Sequence, residues 1–213
     1  HSMKNQLLSS RVIYKRIDQL YEQPELDTGK LKEYIDTLRT VNDAMLLRME
    51  ELYRCVKTKS IFMVPVEISD LVEDTLERFH GKYPEVTILV ENAGVERILA
   101  DKVQLGEALY NLLVNAQEAV LSADKGEKGE VSLKIRNERL YTVIEVRDNG
   151  CGMAKHQIKK IFEPFYSSKN SNSNWGMGLY YVREIVKSHL GFMRVDSTEG
   201  KGSCFYILLP KYQ

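Results

Sequence analysis

The sequence predicts an α+β chain of two domains. The first is an antiparallel helical hairpin over residues 1–59, half of a dimeric four-helix bundle. The second, over residues 60–213, is an α/β sandwich with a mixed sheet covered by helices. Three observations lead there. Apolar residues step by three and four as far as about residue 58; beyond it the pattern changes to mixed strands and helices; and 213 residues with 43% hydrophobic content can fill cores of this size.

In chain order, Met3, Leu7, Ile13, Ile17 and Leu20 mark a helix from Met3 to about Tyr21, with Lys and Arg on its other sides. Glu22 to Gly29 holds Pro24 and Gly29 among acids and reads as a connecting loop. A second helix, from about Lys30 to Thr58, carries Leu31, Ile35, Leu38, Val41, Met45, Met49, Leu52 and Val56 in a near-heptad stripe. A hairpin with one such stripe cannot cover it alone, so a homodimer is expected to close a four-helix bundle. Counted back from the loop at 3.6 residues per turn, the first helix reaches His1 opposite about residue 50. The chain is therefore expected to be a fragment whose upstream sequence continues that helix.

After Lys59 strands and helices mix. Strands are expected at Ile61–Val66, Val86–Val90, Val131–Ile135, Tyr141–Arg147, Phe192–Ser197 and Cys204–Leu209. A helix capped at Ser69 should run to about His80, and longer ones over Val103–Leu121 and Leu179–Leu190. Because the later strands come in adjacent pairs, the sheet should be mixed or antiparallel with helices on one face.

Composition narrows the function. Thirty Lys and Arg against thirty Asp and Glu give no net charge, so a nucleic-acid or anionic-membrane surface is not expected and any phosphate chemistry must be local. Three scattered cysteines (Cys55, Cys151, Cys204) fit neither a disulfide framework nor a metal site, which suggests a reducing compartment. No apolar run approaches the roughly 18 to 20 residues needed to span a bilayer, and no signal peptide is evident. These residues read as soluble.

The motifs that carry chemistry lie in the second domain. On the helix at Val103–Leu121, Glu107, Asn111, Asn115 and Glu118 form a polar stripe beside the apolar one. Asn is a poor helix former, and neutral amide oxygens can ligate Mg²⁺ held jointly with substrate phosphates without adding repulsive charge. A solvated polar face is the plainer reading of that helix taken alone. The strand Tyr141–Arg147 runs into Asp148-Asn149-Gly150-Cys151-Gly152, where a strand-end carboxylate over bare backbone suits an exocyclic amine such as that of adenine; Asp-Asn-Gly is also a common turn. Next come Phe162-Glu163-Pro164-Phe165-Tyr166-Ser167-Ser168-Lys169, a polar run to Trp175, and Gly176-Met177-Gly178-Leu179 opening a helix. A glycine-led helix start is a ready anion site, though the segment also reads as a plain surface loop. Glu199 to Phe205 reads first as a glycine hairpin.

Taken together and in this order, Glu107-x3-Asn111-x3-Asn115, Asp148-x-Gly150-x-Gly152, Phe162-x2-Phe165, Gly176-x-Gly178-Leu179 and Gly200-x-Gly202-Ser203 closely resemble the catalytic ATP-binding domain of sensor histidine kinases. That domain, of the Bergerat-type ATP-binding fold, belongs to the superfamily of DNA gyrase, the large heat-shock chaperone ATPases and MutL. The resemblance implies that Asn115 and Asn111 coordinate Mg²⁺ and that Asp148 accepts from the adenine amine of ATP. Gly150 and Gly152 would shape the nucleotide floor; Gly176 and Gly178, beside Leu179, the phosphate-lid hinge. Ser203 would sit near the base, and Lys169 would approach the terminal phosphate. His1-Ser2-Met3-Lys4-Asn5 resembles a phosphoacceptor box, which makes His1 the expected phosphoacceptor, although a leading His-Ser-Met also fits an affinity-tag remnant. Glu107 is the candidate acceptor of the ring proton, by analogy with the gyrase branch, since Ser2 stands where many relatives carry an acid. Asn5 would orient water for dephosphorylating the partner.

The implied activity is ATP-dependent autophosphorylation on histidine, with transfer to an aspartate of a response-regulator receiver domain. The implied setting is the cytoplasmic part of a membrane-anchored bacterial sensor, with any membrane contact through a missing upstream segment. Rival readings are a serine or threonine kinase of the anti-sigma-factor type and a non-catalytic nucleotide-gated dimerisation module.

Overall fold

The computed structural model describes residues 2–22, 26–57, 61–123, 129–167 and 176–212, and the chain divides into two compact units, residues 1–54 and 55–213. The first unit is the helical hairpin, α1 (Ser2–Tyr21) and α2 (Thr28–Lys57). Asp27 opens α2: its Oδ1 accepts the Lys30 N–H at 3.0 Å, so the helix begins at Thr28, two residues before Lys30, where the sequence would start it. Leu20 and Leu38 are buried, whereas Leu7, Leu8, Val12, Tyr14, Leu46 and Met49 are all exposed.

The second unit contains β1 (Val64–Glu67), α3 (Ile68–Lys82), β2 (Ile88–Ala93), β3 (Arg97–Ala100), α4 (Lys102–Leu121), β4 (Val131–Asn137), β5 (Tyr141–Asp148), the short α5 (Lys155–Ile158), α6 (Gly178–Ser188), β6 (Phe192–Thr198) and β7 (Gly202–Pro210). Five strands form a mixed sheet in the order β2-β4-β5-β7-β6, parallel at β2–β4 and antiparallel elsewhere. Successive residues of its strands alternate between its two faces. Leu133, Ile135, Ile144, Val146, Phe205, Ile207 and Leu209 turn to one face and pack under α3, α4 and α6; Glu145, Arg147, Cys204 and Tyr206 turn to the other.

Three differences from the sequence reading have physical causes. The ribbon of β1 and β3 was half missed, because Arg97–Ala100 is too short to show a period; register supplies it, with Val66 opposite Ile98 and Glu67 opposite Arg97. That ladder also moves the start of α3. Ser69 lies inside the helix, and the Ile68 N–H donates to the Glu96 carbonyl at 2.9 Å instead of to a side-chain cap. The short α5 carried no periodic signal in four residues.

Helix α4 is the element that positions the site. Asp101 caps it, Oδ1 accepting the Gln104 N–H at 3.1 Å while Oδ2 accepts the Phe62 N–H at 3.2 Å. The Asp101 N–H donates to Nε2 of the fully buried His189 (3.0 Å), and His189 Nδ1 lies 2.8 Å from the Ile185 carbonyl. A nitrogen that accepts from a backbone N–H leaves the ring proton on Nδ1, so the imidazole is neutral and ties the start of α4 to the end of α6. No described helix is long and apolar enough to cross a membrane.

Candidate nucleotide site

The polar stripe on α4 is not a solvated face: Glu107, Asn111, Asn115 and Glu118 are all half-buried. Asn111 Nδ2 donates to the Glu107 carbonyl at 2.8 Å, which fixes the amide and turns Oδ1 toward α6; a Cβ on Gly178 would stand 3.5 Å from that oxygen. Asn115 Nδ2 is buried without a hydrogen-bond partner among the described residues. A buried amide left unpaired costs free energy unless a ligand completes it, and a turn of the amide presents Oδ1 at the same place. These neutral oxygens on one helix face fit a hard divalent cation that shares its shell with phosphates, as Mg²⁺ does.

Glu107, which the resemblance makes the candidate acceptor of the ring proton, lies against α3. It is ion-paired with Arg78 of α3, whose guanidinium also lies 4.2 Å from the Tyr110 ring centroid. The paired carboxylate holds the Arg78 guanidinium above its ordinary pKa. Arg78 carried no motif and came into view only through the packing of α3 on α4.

Asp148 is the last residue of β5 and is 5% exposed. Its Oδ1 accepts the N–H groups of Gly150 (2.9 Å) and Ser203 (3.2 Å), so the carboxylate is anchored by backbone from two segments. The glycines explain how these segments approach. A Cβ at Gly150 would overlap the Ala119 carbonyl of α4, whose oxygen accepts the Cys151 N–H at 3.0 Å. Gly152, at φ 63°, would collide with the Thr198 carbonyl, and Gly202, at φ 102°, with that of Asp148. Thus the Glu199–Ser203 segment, read first as a plain hairpin, is also a wall of the Asp148 site. Ser203 Oγ lies there at 3.0 Å from Ser197 Oγ. Sequence reasoning missed Ser197; only the strand register, which places it opposite Ser203, could have found it.

Gly178 and Leu179 open α6, with no side-chain cap from Met177. The first-turn N–H groups of a helix lack intrahelical partners and favour an anion. Gly176, at φ 67°, packs against the Tyr166 backbone so closely that no Cβ would fit. Phe162 packs on the core with the Arg183 guanidinium 5.7 Å from its ring, while Phe165 is exposed at φ 66°. His1 and Lys169 lie outside the described residues; Asn5 is exposed on α1. The structure therefore brings together Asp148, Gly150, Gly152, Gly202 and Ser203 as one wall, and Asn111 with Gly178 as another contact. Both border α4.

The family model described as histidine kinase-, DNA gyrase B- and HSP90-like ATPase matches residues 100–213. Among curated relatives, sensor histidine kinase ZraS of Salmonella typhimurium is 29% identical over 85% of this chain; the chain spans only 38% of that protein's length. Among solved structures, histidine kinase ThkA in complex with response regulator TrrA covers the whole chain and 59% of its own (TM-score 0.66, 19% identity). Full-length ShkA in complex with AMPPNP covers 99% of this chain and 47% of its own (TM-score 0.66, 20% identity). These two likenesses bear on the fold, hairpin included.

Proposed function

The chain belongs to the family of histidine kinase-, DNA gyrase B- and HSP90-like ATPases, and from that premise we propose that it is the kinase core of a two-component sensor, autophosphorylating on His1 and passing the phosphoryl group to a response regulator. The observation that carries the reading is the half-buried amide ladder of α4 beside the anchored Asp148 carboxylate. One acceptor suits the adenine amine; the other set suits a phosphate-bound cation.

In the proposed reaction a lone pair of the His1 imidazole attacks the terminal phosphorus of ATP in line, the bond to the bridging oxygen breaks, and ADP leaves. The protein's share is positioning and neutralisation of charge. Asn111 and Asn115 would hold Mg²⁺, which neutralises charge on the phosphates. The α6 N-terminus and Lys169 would orient the transferring group. Glu107, aligned by Arg78, would accept the ring proton. Asn5 would later orient water for dephosphorylating the regulator. The hairpin would dimerise and receive the regulator's receiver domain, in keeping with the ThkA–TrrA complex. We place the unit in the cytoplasm, as part of a longer sensor.

Labelling with γ-labelled ATP and magnesium tests this. The label should be acid-labile and base-stable, and His1→Gln should abolish it while leaving nucleotide affinity intact. Acid-stable label, or label that survives in His1→Gln, would overturn the reading.

A further inference from the structure

Ser197 sits at the closed end of the β6–β7 hairpin within reach of three polar groups. Its Oγ accepts the Met153 N–H at 2.9 Å, lies 3.1 Å from the Gly202 carbonyl oxygen, and is 3.0 Å from Ser203 Oγ. A hydroxyl owns one proton and two lone pairs. The Gly202 carbonyl can only accept, so it takes the Ser197 proton. The Met153 N–H occupies one lone pair. What remains to Ser197 is a single lone pair, and the Ser203 contact is satisfied when Ser203 donates into it. This assignment gives every donor of the cluster an acceptor, as groups with so little access to water require; Ser203 is only 6% exposed.

The consequence concerns what Ser203 can do next. Its own N–H is committed to Asp148 Oδ1 (3.2 Å), and its hydroxyl proton is committed to Ser197. Toward a ligand on that wall Ser203 therefore presents lone pairs only, beside a carboxylate that is itself an acceptor. An edge made wholly of acceptors pairs with an exocyclic amine and is repelled by a carbonyl oxygen.

We propose that Ser197 is a positioning residue that locks the Ser203 hydroxyl as an acceptor and so makes the site choose a purine with an amine at C6, adenine, over one with a carbonyl oxygen there, guanine. This rests on the nucleotide site proposed above. It assigns Ser197 no contact with the base: it acts through Ser203.

Calorimetry of the full chain with magnesium and the non-hydrolysable imido analogues of ATP and GTP tests it, the readout being the ratio of the two dissociation constants. Ser197→Ala deprives Met153 and Gly202 of partners, a structural loss felt alike by both nucleotides, but it also frees the Ser203 proton to rotate toward a guanine oxygen. The preference for adenine should fall about tenfold, the scale of one hydrogen bond exchanged for its opposite. Ser197→Thr keeps the hydroxyl and should keep the preference. Ser197→Cys, a near-isosteric weak donor, should lower it even where the alanine variant folds poorly, and Ser203→Ala should lower it with no further fall on adding Ser197→Ala. An unchanged ratio in Ser197→Ala or Ser197→Cys, with both affinities shifted equally, overturns the proposal and leaves the adenine site standing. A parent protein with no preference for adenine, or an Asp148→Asn variant that binds the ATP analogue as the parent does, overturns the site assignment and this proposal with it.

Discussion

Asn115 is the residue whose surroundings ask most plainly for a ligand, since its amide nitrogen is buried without a partner among the described residues. If the amide serves a metal, Asn115→Ala should weaken binding of the ATP analogue by about tenfold or more with magnesium and change little in EDTA, as calorimetry in the two buffers would show. Equal losses in both would remove it from the metal's shell. The glycines allow a sharper comparison. Gly152 and Gly200 both adopt left-handed φ, 63° and 76°, but an added Cβ at Gly200 meets nothing within 4 Å, whereas at Gly152 it strikes the Thr198 carbonyl. Gly200→Ala should cost about 1 kcal/mol of left-handed strain, and Gly152→Ala clearly more, because backbone must also move. Urea midpoints of the two variants at unchanged slope check this; equal losses would mean that the close approach does not decide the conformation.

At the scale of elements, α4 and α6 are joined end to end by His189, and this gives the fold a pH dependence with a definite sign. Desolvation holds the imidazole below its ordinary pKa of 6.5, although the hydrogen bond to the Ile185 carbonyl and the charge of Asp101 pull the other way. Between the depressed folded value and 6.5 the unfolded chain binds more protons than the native one. The contribution is thus fully present above about pH 6.5 and is lost as pH falls through the folded value, at up to about 1.4 kcal/mol per pH unit. Melting temperatures between pH 7.5 and 5.5 should fall, and the slope should flatten in His189→Gln whatever that variant does to absolute stability. An identical slope would relieve His189 of the role. The α4 cap is a second contributor here. Asp101→Ala deprives both the Gln104 and the Phe62 N–H of an acceptor and should cost about 1–2 kcal/mol in chemical denaturation.

The whole molecule is two compact units in one chain, and each leaves a different signature. The hairpin exposes Leu8, Val12, Leu46 and Met49, a set of apolar groups that a solitary pair of helices cannot hide. On the proposed homodimer, Leu8→Glu with Val12→Glu should convert a sedimenting dimer into monomer while nucleotide affinity, a property of the other unit, stays within about twofold. A double variant that remains dimeric would place the interface elsewhere. Much of this was legible beforehand. Period 3.6 in the hairpin and α4, the short strand-like runs at β4, β5 and β7, and the ordered Asn, Asp and Gly motifs are local properties, legible along consecutive residues. They determined the fold class, the helix bearing the amide ladder and the wall around Asp148. What tertiary structure alone decided were the relations between segments distant along the chain: Arg78 claiming Glu107, Ser197 meeting Ser203, the β1–β3 ladder displacing the start of α3, and His189 bridging two helices. The physical reason is that a hydrogen bond between chemically ordinary residues leaves no periodic trace in a sequence; its partner is chosen by strand register and helix packing, which exist only once the core has closed.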